Sequence, residues 1–76
     1  MNKARRKQLA EIAEQVQELR DRIEQLQEEE QDGFDNLPES LQQGEKGQAM
    51  EQAVEQLGEA LDALDTAVQA LEEAQA

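Results

Sequence analysis

The sequence predicts an all-α fold, an antiparallel two-helix hairpin that dimerises into a four-helix bundle. Three observations carry this. Two stretches place apolar residues alternately three and four apart, a segment with glycine and proline separates them, and the second stretch has an apolar face wider than one neighbour needs. A chain of 76 residues makes at most one domain and buries a small share of its surface, which favours a second copy.

The first helix is predicted over residues 3–31, with continuation through Gly33 to Asn36 as the alternative, since a glycine there costs only about 1 kcal/mol. Leu9, Ile12, Val16, Leu19, Ile23 and Leu26 follow a 3, 4, 3, 4, 3 spacing, a heptad seam with Leu9, Val16 and Ile23 at a and Ile12, Leu19 and Leu26 at d. The flanking positions are nearly all Glu, Gln and Arg, so solvent should see everything but the seam, and Glu18 with Arg22 forms a favourably oriented i,i+4 pair. Charge along this helix opposes its macrodipole, with Lys3, Arg5, Arg6 and Lys7 at the start and Glu28, Glu29, Glu30 and Asp32 near the end. An antiparallel second helix would offset this by bringing Glu72 and Glu73 beside Arg5, Arg6 and Lys7.

Residues 32–44 form the predicted linker. Gly33, Pro38 and Gly44 interrupt the pattern, while Phe34, Leu37 and Leu41 keep a 3 and 4 spacing that lays apolar side chains over the end of the helix pair. Asn36, Pro38 and Glu39 resemble the start of a short capped helical turn.

The second helix is predicted over residues 45–75. Met50, Val54, Leu57, Leu61, Leu64, Val68 and Leu71 form its stripe, and Ala53, Ala60, Ala67 and Ala74 fill successive g positions. Small side chains let backbones approach closely, and a stripe this wide suits the inner helix of a bundle. Gly58 at an e position reads either as a tolerated weak spot or as a close crossing by another backbone. At 1.5 Å per residue both helices come to about 45 Å and match in length.

The composition excludes much chemistry. With no Cys, His, Trp or Tyr there is no disulfide, thiolate metal site or imidazole base, and no nucleophile sits beside a suitable base, so the chain is read as a non-enzyme without cofactor or metal. No apolar run approaches the roughly 20 residues of a membrane span, and the basic start lacks the apolar segment of a secretion signal, so a cytoplasmic location is expected. The net charge of −12 arises from 19 acids against 7 bases, with no base beyond Lys46, and disfavours direct binding of nucleic acid.

Two sets of residues are candidates for binding. Glu51, Glu55, Glu59 and Asp62 stack like charges one turn apart, which destabilises a helix slightly but could present phosphate-like charge to a basic partner. Arg5, Arg6 and Lys7, with Lys46 and Phe34, could instead hold an anion or nucleotide at a junction between protomers.

The segments FDNLPESLQ and GEKGQAMEQAVEQL, behind a helix opening NKARRK, resemble a group of small acidic helical proteins encoded by phages and prophages of Gram-positive bacteria. The resemblance implies a phage setting, hence host bacterial cytoplasm, and supplies no catalytic residue. It favours an interaction protein that blocks a host factor such as a bacterial defence component. A nucleotide-sequestering oligomer and a structural or accessory phage protein are the alternatives.

Overall fold

The computed structural model describes all residues from Met1 to Ala76 as three helices: α1 (Lys3–Asp35), α2 (Glu39–Gln42) and α3 (Glu45–Glu73). There is no strand. The two long helices pack along each other in opposite directions, giving a rod of 58 × 14 × 12 Å. No helix is long and apolar enough to cross a membrane.

α1 starts at a capped end, where the Asn2 side-chain oxygen accepts from the Arg5 backbone N–H at 2.8 Å. Of the two ends the sequence leaves open it takes the later, running past residue 31 and through Gly33, so the linker shortens from 32–44 to 36–44. A mid-helix glycine costs about 1 kcal/mol, and two contacts from outside the helix offset it. The Met50 Cε lies where a Gly33 Cβ would be only 3.0 Å away, so the bare backbone gives the methionine room to lie against α1. Beyond it the Gln42 side chain donates to the Phe34 carbonyl at 3.1 Å, a second donor to an acceptor that the Leu37 backbone N–H also reaches at 3.0 Å. Asn36 is the residue that closes α1, not the cap of the next turn. α2 begins after Pro38 with no side-chain cap.

Gly44 precedes α3 with extended backbone, and no residue in the chain takes a positive φ, so none of the glycines is required for a left-handed turn. Gly47 is required for space. It is buried in the first turn of α3, and a Cβ there would run into the backbone of Gln42. The α2–α3 corner therefore closes only around a residue with no side chain. α3 ends at Glu73, two residues short of the predicted boundary.

The seam between the long helices differs from the predicted one on the α1 side. α3 turns its stripe inward as expected: Leu61 is 5% exposed, Val68 is 9%, and Val54, Leu57, Leu64 and Leu71 are half-buried. On α1 the inward row is Leu9, Ala13, Val16, Arg20, Ile23 and Gln27, the a and e positions. The d row stays outside, with Ile12 at 45%, Leu19 at 51% and Leu26 at 58% exposure. Polar residues at e entered the seam because they find partners there. Arg20 donates to Asp65 at 2.8 Å, and Gln27 donates to the Val54 carbonyl at 3.0 Å.

These contacts also fix the register. Eight residues beyond Arg20 and Asp65, in opposite directions along the two helices, Ile12 stands level with Glu73. The turns that carry Lys3, Arg5, Arg6 and Lys7 thus extend past the end of α3. None of these cations pairs with Glu72 or Glu73, and the predicted Glu18–Arg22 pair is also absent, since every ion pair in the chain involves Arg20. The length match also fails: α1 has 33 residues and α3 has 29.

Candidate functional site

The acid row lies on α3. Glu51, Glu55, Glu59 and Asp62 are all exposed, and at 3.6 residues per turn their spacing confines them to an arc of about 80°. The row flanks the inward stripe, since the packing of Met50, Val54, Leu57 and Leu61 against α1 sets which face of α3 remains outside. None of the four acids makes an ion pair. With Lys46 the single base on α3, their charges add rather than cancel.

The neighbouring edge of the hairpin carries the one charge cluster that is internally satisfied. The Arg20 guanidinium, 19% exposed, donates through Nε to Asp65 at 2.8 Å and through Nη1 to Glu24 at 2.7 Å. The hydrogen bond to Asp65, then that to Glu24, raises the already high pKa of Arg20 further, so it is charged under all ordinary conditions. Charge-assisted bonds of this geometry position the helices. Gln27 acts beside them. Val54 and Gly58 are four apart on α3, and the missing side chain at Gly58 leaves the Val54 carbonyl open to the Gln27 amide, whose Nε2 would lie 3.2 Å from a Cβ at Gly58. No backbone crosses at Gly58; the close neighbour is the Gln27 side chain.

The sequence reading missed Arg20, Glu24, Asp65, Gln27 and Gln42. One signal could have found Arg20 and Asp65. In an antiparallel pair e packs against e, and Arg20 and Asp65 are both e residues of opposite charge.

The anion set divides between the two ends of the rod. Arg5, Arg6 and Lys7 sit at the open end, while Phe34 and Lys46 lie beside the connection at the closed end. A shallow notch of about 170 Å³ at the open end is lined by Met1, Arg5, Gln8, Leu9 and Ile12. A larger groove of about 370 Å³ between the long helices is bordered by Glu14, Glu18 and Glu72 and by no base, so its field repels an anion. No group of three or more acids comes close enough together to hold a metal ion.

No protein-family profile matches the chain, and no curated protein or solved structure matches it significantly.

Proposed function

We propose that the chain is a non-enzymatic interaction protein of phage type that blocks a host factor, such as a bacterial defence component. It binds a basic surface through Glu51, Glu55, Glu59 and Asp62, and it acts as a homo-oligomer, in the simplest case two hairpins forming a four-helix bundle. The observation that carries this reading is the acid row itself. Four carboxylates share one exposed face, make no ion pair, and repel one another at a small cost in stability. An opposed basic surface would relieve that repulsion and gain a steered association rate. The resemblance of Phe34–Met50 to phage-encoded helical proteins supports the setting, and the absence of His and Cys supports a binding role over chemistry.

A second reading, sequestration of a nucleotide or other anion, is favoured by Arg5 at the rim of the open-end notch. One chain alone does not complete such a site, because Phe34 and Lys46 lie at the other end. Affinity capture from a bacterial lysate, combined with mass spectrometry of small molecules released on denaturation, tests both. Replacing Glu51, Glu55 and Glu59 by Gln abolishes capture by a charge-driven inhibitor and spares an anion binder. Replacing Arg5 and Arg6 by Gln does the reverse. Recovery of neither a protein nor a small molecule leaves the structural or accessory reading.

A further inference from the structure

The two flanks of the hairpin seam are unlike. On the flank where e faces e, Arg20 meets Asp65 and Gln27 meets α3, and the surface is polar. On the opposite flank α1 presents Ile12, Leu19 and Leu26, three of the five large apolar residues the chain leaves exposed. Helix geometry sets the Ala53, Ala60 and Ala67 row of α3 on this same flank, since in an antiparallel pair the g positions adjoin when the e positions do. The apolar face therefore spans both helices, with large side chains on α1 and small ones on α3.

The charge at the two ends of the rod is also unlike. The open end carries Lys3, Arg5, Arg6 and Lys7 with no acid before Glu11, and none of these cations has an ion-pair partner. Towards the closed end α1 carries Glu28, Glu29, Glu30, Asp32 and Asp35, with no base in its last turn. Both ends oppose the α1 macrodipole, and no ion pair within the chain offsets them.

We propose that a second copy of this chain covers the Ile12, Leu19 and Leu26 row, α1 against α1, with the open end of each copy over the closed end of the other. The inference rests on the reading of the chain as self-associating and adds the surface, orientation and register. A two-fold axis at Leu19 sets Ile12 opposite the partner's Leu26. It also sets Arg5, which continues the same heptad row, opposite the partner's Gly33 and beside the partner's Glu29 and Glu30. The notch between Leu9 and Ile12 then faces the partner's Leu26 row. The reverse orientation would stack four cations on four cations and acid on acid. Charge decides between the two orientations, while apolar burial supplies the attraction in both.

The test uses the full chain, and the absence of native cysteine makes cross-linking clean. Sedimentation at micromolar concentration is expected to give twice the 8.6 kDa chain mass. Leu19→Glu is expected to give monomer with helicity unchanged by circular dichroism, because Leu19 is half exposed within one hairpin. On oxidation, Ile12→Cys mixed with Leu26→Cys forms a disulfide-linked pair, whereas Ile12→Cys alone does not. Arg5→Glu weakens the dimer at least tenfold. Adding Glu29→Lys and Glu30→Lys to that chain restores it, a rescue available only between chains because the positions lie far apart on one helix. A monomeric wild type overturns the inference together with self-association. A dimer that survives Leu19→Glu overturns the surface alone, and self-linking of Ile12→Cys overturns the orientation, both leaving self-association and acid-row binding intact.

Discussion

α1 and α3 carry the same 3 and 4 spacing of apolar residues, yet they use it differently. α3 buries its stripe, with Leu61 and Val68 nearly inaccessible, while α1 leaves Ile12, Leu19 and Leu26 about half exposed and turns Ala13, Arg20 and Gln27 inward instead. Periodicity fixes that a helix has an apolar side, but partners fix which side faces in. On α1 a small residue and two hydrogen-bonded polar ones fit the seam better than three bulky chains, because α3 already fills it with leucine and valine.

That contrast can be broken most severely from the α3 side. Leu61→Ala should destabilise by about 2–5 kcal/mol, the range for deleting a buried leucine, whereas Leu19→Ala should cost less than about 1 kcal/mol. Urea denaturation of both variants, at a dilution where chains do not associate, reads the difference; equal losses would mean that the two helices share the core evenly.

The glycines of α3 sharpen the comparison next. Gly47→Ala should lose about 1–3 kcal/mol from the clash with the Gln42 backbone, against the gain in helix propensity. Gly58→Ala crowds only the Gln27 amide and should change stability by less than about 1 kcal/mol, the gain in helix propensity set against a loosened bond to the Val54 carbonyl. A clearly larger drop in melting temperature for Gly47→Ala than for Gly58→Ala checks the pair.

Smaller effects separate the charges. Arg20→Gln should lower the melting temperature, and added salt should shrink the difference, while Arg22→Gln, which breaks no ion pair, should leave it unchanged. Smallest of all, Gln at Glu51, Glu55 and Glu59 together should raise stability by a few tenths of a kcal/mol per relieved contact, visible in low salt and absent in high salt.

The two long helices and the common face of the acid row were legible in the sequence because each depends on spacing within one helix. Glu51, Glu55, Glu59 and Asp62 share a face wherever α3 packs, and Gly44 and Pro38 break the pattern locally. What was not legible depends on contacts between segments. The continuation of α1 through Gly33 depends on Met50 and Gln42, residues outside it. Burial of Arg20 and Gln27 depends on a register that places Asp65 and the Val54 carbonyl opposite them. The same register carries Arg5, Arg6 and Lys7 beyond Glu73, so the pairing with Glu72 and Glu73 expected from the charge gradient of α1 does not form. Local pattern contains none of these distances.

The bond from Gln27 to the Val54 carbonyl has a mechanical consequence. Both termini lie at the open end, so a force pulling them apart peels the helices from that end rather than sliding them. Apolar contacts around Val68 and Ala13 yield gradually, but Arg20–Asp65 and then Gln27–Val54 are directional bonds that break at short extension. Peeling should therefore pause twice before the closed end is reached. A force applied along the helices would instead load both bonds together, making the hairpin stiffer to shear than to peeling.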